Sequence, residues 1–198
     1  EMLLTPDHAA MCGVSYQEYL AGVAQGIDDA RHDFSIESRA QIMCVRNFGI
    51  ESCVRVAKQA ALYPHPYVVG FTMGGDEVHF PARDYIEAYL IARDAGLGCS
   101  IHAGEMAGAE SVRDAIMHLP IQRIGHGVRA VEDKSLLNTI VERGITLEVC
   151  PSSNIALAVY PDYQHHPFKE LYDYGIAVTL NTDDPPYFET SLNNEYEI

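Results

Sequence analysis

The sequence predicts an α/β fold, a (β/α)8 TIM-type barrel that is incomplete over residues 1–198, organised as one domain. Three observations lead there. Short apolar, β-rich runs alternate with helical stretches along the whole chain, the pattern of parallel strands joined by helical crossovers. The runs are continuously apolar, as strands buried on both faces are. No glycine-rich turn follows the first run, whereas an open nucleotide-binding sheet would usually carry one.

The strands are expected at Met2–Thr5, Ala40–Val45, Val68–Met73, Gly98–His102, Arg123–Gly125, Thr146–Cys150 and Ala177–Asn181. Between the first two, Tyr16–Phe34 places Tyr19, Val23, Ile27 and Ala30 at helical spacing behind Ser15, a capping residue. Ile50–Leu62 repeats the pattern with Val54, Ala57 and Ala61. Ala82–Ala95, rich in Ala, Tyr and Leu, ends at Gly96, a C-terminal cap. Ala109–Leu119, Lys134–Arg143 and His166–Tyr174 follow, the last two stopping near Gly144 and Gly175. A full barrel needs eight units and about 250 residues. Seven strands are present, so the first strand and the end of the last helix are expected to lie outside the chain. The start at Glu1, inside an apolar run, agrees with a piece of a longer protein.

The composition narrows the function. With 47% hydrophobic and 21% charged residues the chain can build a sizeable core. A net charge of −15 repels phosphate backbones, so nucleic acid is not an expected partner. No apolar run is long enough for a membrane span, and the first residues, Glu1–Pro6, read as a strand rather than a signal peptide. Five widely spaced cysteines without a CxxC pair argue against a disulfide framework or a cysteine zinc site, and for a reducing, cytoplasmic setting.

The unusual polar residues gather where the strands end. His102 and Glu105 follow Cys99–Ile101, and His126 follows Arg123–Gly125. Ser152, Ser153 and Asn154 follow Val149–Pro151, and Asn181, Asp183 and Asp184 follow Val178–Leu180. Each alone could be a loop residue or a cap. Four such ends together mark the C-terminal rim of a parallel barrel, where active sites form. Adjacent strand residues point oppositely, so His102 and Glu105 can share a site only if the chain leaves the strand, which Gly104 permits. Pro185 and Pro186 end the last strand for Asp183 and Asp184 in the same way.

Histidine and aspartate suit zinc or another divalent ion, and a neighbouring carboxylic acid can move protons. A catalytic zinc usually takes at least three protein ligands, so two candidates are too few. Of the other histidines, His32, His65 and His118 read as surface or packing residues, and His165–His166 as a loop pair. His8 and His79 follow strand ends and could line the rim.

At these motifs the sequence resembles the adenosine deaminase family of the amidohydrolase superfamily. Ser100–Glu105 (SIHAGE), Arg123–Gly127 (RIGHG), Leu147–Asn154 (LEVCPSSN), Leu180–Pro185 (LNTDDP) and Met73–Glu77 (MGGDE) carry the resemblance, in order from end to end. It implies one zinc at the rim, held by His102 and Asp183, with two further ligands from a His-x-His pair upstream of Glu1. It implies Glu105 as proton donor, His126 as the residue orienting the attacking water, and Gly75 and Asp184 as purine contacts. The implied reaction is deamination of adenosine or 2′-deoxyadenosine, with a small purine nucleoside as partner. Adenine, a modified adenosine, or a non-catalytic purine-binding role are the alternatives. The Met73–Glu77 segment is read as speaking against adenine. Thr72 and Leu3 stand where many relatives have aspartate and arginine, which bears on fine substrate preference.

Overall fold

The structure, a computed structural model, describes all residues from Glu1 to Ile198. Seven strands are formed: β1 (Met2–Leu4), β2 (Ala40–Val45), β3 (Val68–Gly74), β4 (Gly98–Ala103), β5 (Arg123–His126), β6 (Thr146–Val149) and β7 (Val178–Leu180). Every neighbouring pair is parallel, and the spatial order is the chain order, β1 to β7. A doubly wound sheet reverses its strand order at a switch point. No reversal occurs here, so the sheet winds in one direction, as a (β/α)8 barrel does. The expected incomplete barrel is the fold observed.

The crossovers are α1 (Pro6–Met11), α2 (Tyr16–Phe34), α3 (Ile50–Leu62), α4 (Ile86–Asp94), α5 (Ala109–His118), α6 (Lys134–Arg143), α7 (Pro151–Ala156) and α8 (Phe168–Asp173). After β7 come α9 (Pro185–Phe188) and α10 (Leu192–Glu195). The boundaries of α2 follow from chemistry at its start. Ser15 Oγ accepts from the Glu18 backbone N–H, and the Glu18 carboxylate accepts from the Ser15 N–H, closing a capping box. Asp133 caps α6 through the N–H groups of Ser135 and Leu136.

The core lies between sheet and helices. Ile42, Phe71, Ile101, Ile124 and Leu147, one from each of β2 to β6, are completely or almost completely buried. Facing them are Ala88, Tyr89 and Ala92 of α4, Val112, Ala115 and Ile116 of α5, and Leu136, Leu137 and Ile140 of α6. These recur at helical spacing, one apolar stripe per helix. Each buried aliphatic or aromatic side chain contributes roughly 1.5–3 kcal/mol.

The other face of the sheet turns inward and is polar. Glu1 pairs with Arg123 at the start of β5, and Gln41 of β2 donates to the same Glu1 carboxylate (2.9 Å). Ser100 of β4 donates to Gln41 (2.8 Å), and Arg123 reaches Glu148 of β6 at 3.2 Å. Residues ahead of β1 and on β5, four strands apart, meet only because the sheet curls around an interior. This network occupies the ends where the strands start. The opposite ends carry the candidate site.

Candidate active site

The lateral register of the strands places His102. It pairs with Gly125 of β5 in the sheet, and parallel partners point to the same side. A Cβ at Gly125 would lie 3.2 Å from His102 Nδ1, and one at Gly74, at the end of β3, 3.8 Å from it. Two neighbouring strands thus present glycines where the imidazole sits. The buried Arg46 guanidinium, just past β2, donates to the His102 carbonyl (2.6 Å) and fixes the strand end. Burial holds the His102 ring below the ordinary histidine range. It is therefore the neutral imidazole that a metal requires.

Beyond β4 the chain turns at Gly104, whose φ of +69° lies in the left-handed region. That turn brings Glu105 back over the strand ends, as the motif spacing required. The loop is held by a residue whose role the sequence reading missed. Glu77 is buried, and its carboxylate accepts from Gly104 N (2.7 Å), Glu105 N (2.9 Å), Ala107 N (2.6 Å) and Ser111 Oγ (2.7 Å). A carboxylate has about four acceptor sites, and all are used. Glu105 lies 3.5 Å from His126 Nε2. Burial first, then the carboxylates of Asp183 and Glu77, push Glu105 up to about 8. At neutral pH it carries a proton.

His126 is the last residue of β5 and Asp183 lies three residues past β7. His126 Nε2 stands 3.9 Å from an Asp183 oxygen, and the rings of His102 and His126 meet edge to face at 5.2 Å. Both His126 (φ +64°) and Asp183 (φ +56°) adopt left-handed backbone conformations. Such residues cost on the order of 1 kcal/mol or more and cluster at functional sites. The short helix α7, which was not among the expected helices, supplies the partners. Ser153 Oγ donates to Asp183 Oδ2 (2.7 Å), orienting that carboxylate, and Asn154 Nδ2 lies 3.3 Å from His126 Nδ1. Burial, and then the neighbouring His102, hold His126 well below the ordinary histidine range.

The donor set fits a divalent cation. His102 makes no hydrogen bond from its ring, and its buried Nδ1 has no partner. An unsatisfied buried group of this kind costs about 1–3 kcal/mol, which a ligand or cation in contact with the ring would offset. Asp183 beside it is held in orientation by Ser153. His126, Cys150 and Asp183 also present ligand atoms within 4.8 Å of one another. That trio is a poorer set. Burial, with Asp183 and Glu105, drives the Cys150 thiol far above its ordinary value, so it stays protonated.

Four of the six expected site residues, His102, Glu105, His126 and Asp183, converge. Asp184 adjoins them in sequence, and burial followed by Asp183 raises its carboxyl. Gly75, with φ +100°, follows β3, where a Cβ would collide with Asn47 Oδ1, itself the acceptor for Asp76 N (2.9 Å). His8 packs edge-on against Phe48 and exposed His79 pairs with Asp76; neither touches the converging group. Thr72 is buried within β3. His166, read as half of a loop pair, is buried and lies 3.1 Å from Asn154 Oδ1, whereas His165 stays exposed and pairs with Asp162.

A sequence profile of the adenosine deaminase family matches residues 1–198. The chain belongs to that family. Among curated family members, the adenine deaminase of Sinorhizobium medicae is 50% identical over 198 residues, all of this chain and 61% of the relative. That of Agrobacterium fabrum matches at the same identity and coverage. The chain thus spans about three fifths of the length of the curated relatives it matches. Among solved structures, adenine deaminase from Arthrobacter aurescens superposes with a TM-score of 0.92 at 29% identity, over 98% of this chain and 59% of the other. An amidohydrolase from Burkholderia ambifaria with bound zinc gives 0.91 at 26% identity, over 98% and 55%. The N6-methyl-AMP deaminase of Arabidopsis thaliana gives 0.87 at 26%, over 100% and 60%.

These relatives correct the expectation that adenosine or 2′-deoxyadenosine is the substrate: at about half identity along the whole chain, they are adenine deaminases. The inference that Met73–Glu77 speaks against adenine fails with it, and the structure gives a physical reason. Glu77 is fully engaged with the Gly104–Ser111 loop, and Gly75 is shaped by Asn47. The contacts of this segment are to the loop and to Asn47, and none of them distinguishes a free base from a nucleoside.

Proposed function

We propose that this chain carries the catalytic face of a zinc-dependent adenine deaminase, which replaces the 6-amino group of adenine with oxygen to give hypoxanthine and ammonia. The observation that carries the reading is its 46–50% identity, over all 198 residues, with adenine deaminases. The site chemistry supports it. His102 and Asp183 are the residues of this chain that would hold zinc, and zinc there would act as a Lewis acid on the attacking water.

The remaining work falls to the chain's own groups. Glu105, protonated at neutral pH, delivers its proton to N1 of the ring as water adds at C6, removing the aromatic resistance to attack. His126 holds the incoming oxygen through its ring N–H and stabilises charge as the tetrahedral centre forms. Asp184 faces N7 with a proton between them, and Gly75 lies along the purine through its backbone. One proton of the added water restores Glu105, the other passes to the 6-amino group, and the C6–N bond breaks as the C6–O bond becomes a carbonyl and ammonia leaves. Ammonia release from adenine and from adenosine, measured with the complete zinc-loaded enzyme, tests the reading. Turnover of adenosine with none of adenine overturns it.

A further inference from the structure

We infer that Asn154 and His166 form a relay that fixes the tautomer of His126, so that its Nε2 carries the proton and faces the reacting atoms as a donor. The backbone amide of Phe168 can only donate. Phe168 N donates to His166 Nδ1 at 3.2 Å, so Nδ1 is an acceptor and the proton of the neutral ring sits on Nε2. His166 Nε2 lies 3.1 Å from the Asn154 side-chain oxygen, which must accept. The Asn154 amide is thereby oriented, and its nitrogen points at His126 Nδ1, 3.3 Å away. An amide N–H can only donate, so His126 Nδ1 accepts and the remaining proton lies on Nε2.

That nitrogen stands 3.5 Å from Glu105 and 3.9 Å from Asp183, between the two carboxyl groups. In this tautomer Nε2 has no lone pair free for a metal. His126 is therefore a hydrogen-bond donor to the attacking oxygen rather than a ligand, and the His126–Cys150–Asp183 trio is not the metal site. Asn154 is fully buried and His166 nearly so, which keeps water from competing for the relay. Burial also lowers His166 to about 4, so at neutral pH the ring has the single proton that the relay needs.

Asn154 and His166 are positioning residues, and the inference rests on the catalytic reading only for its effect on rate. The test has two arms. Nitrogen-15 NMR of labelled enzyme reads the imidazoles directly: His126 should show a protonated, pyrrole-type Nε2 and an unprotonated, pyridine-type Nδ1. A protonated Nδ1 overturns the relay whatever the enzyme deaminates. The stated tautomer in an enzyme inactive on adenine supports the relay and sinks the proposed function instead. In the kinetic arm, Asn154→Asp puts an acceptor against Nδ1 and draws the proton there. We expect kcat to fall by about 10²-fold or more, since a wrong histidine tautomer is among the costliest errors at such sites. KM should stay within about threefold and zinc content should not change. His166→Leu removes the donor to Asn154, and His166→Gln restores one, so Gln should recover most of what Leu loses. If Asn154→Asp does not fold, the NMR assignment and the Leu–Gln pair decide. Equal kcat in the Leu and Gln variants would overturn the relay.

Discussion

Replacing Glu105 by glutamine removes its acidic proton and almost no volume, and two consequences can be worked from the structure. The first is kinetic. Glutamine cannot deliver an acidic proton to N1, and general acid–base steps are worth about 10²–10⁴-fold, roughly 3–5 kcal/mol of barrier. The second is thermodynamic. Glu105 is 15% exposed and has a carboxyl raised from 4.5 to about 8, by burial first and by Asp183 and Glu77 next. A raised carboxyl means that the folded protein binds the proton more tightly than the unfolded chain. That contribution is fully present below about 4.5 and is lost as pH rises through about 8. Above that the fold carries a buried carboxylate, at a cost on the order of 4–5 kcal/mol. Glutamine does not titrate. In metal-free protein, the variant should therefore gain on wild type from pH 5 to about pH 8 and then level off, read as denaturation midpoints of both proteins at each pH. Wild-type kcat/KM for adenine should decline above pH of about 8 as the proton is lost. A stability difference that does not change with pH, or a variant within about tenfold of wild-type turnover, refutes the assignment of Glu105 as the protonated donor.

Asp183→Ala should remove a metal ligand and leave Ser153 without its acceptor; zinc content by atomic absorption should fall well below one per chain, and turnover with it. Glu77→Gln turns one acceptor oxygen of a fully used carboxylate into an NH2 group facing two donors. The loop that carries Glu105 should loosen at a cost of roughly 3 kcal/mol, seen as a lower denaturation midpoint and a lower kcat. Gly75→Ala forces a side chain onto Asn47 at a positive φ. It should destabilise by about 1–3 kcal/mol and raise KM for adenine, whereas an Ala variant of wild-type stability and KM would separate Gly75 from the site.

Much of this architecture was legible because local chemistry and the tertiary fold agree. The limits of α2, α3 and α6 match the sequence reading, since Ser15, Gly144 and the apolar periodicity all mark the same residues. The stretch read as one helix over Ala82–Ala95 is instead a 3-10 turn at Ala82–Tyr85 leading into α4. Tyr85 is drawn inward there, where its hydroxyl donates to the Arg46 carbonyl (2.8 Å), a contact invisible to periodicity. The short helices α7 and α9 open with proline at the first turn and last only four to six residues, too few for a periodic signal.

The site divides along the same line. His102, Glu105, His126 and Asp183 were readable because reactive side chains at strand ends violate the apolar pattern around them. Glu77, Arg46, Asn154 and His166 were not, because each acts across a gap in sequence on another residue's backbone or ring. The Glu77 carboxylate reaches 27 to 34 positions and the Arg46 guanidinium 56. A clue was available for Glu77: an acidic residue inside a glycine segment, with no cation nearby in sequence, needs backbone donors if it is buried. The base-versus-nucleoside choice was not legible in the strand-end motifs; it came from the adenine deaminase relatives.

The most direct measurement is the ratio of kcat/KM for adenine to that for adenosine, taken on the complete zinc-loaded enzyme by ammonia release at neutral pH. Adenine should be favoured by at least ~10²-fold, within the range that differences of one small group produce in a fitted pocket. A ratio near one, or a preference for adenosine, would contradict it.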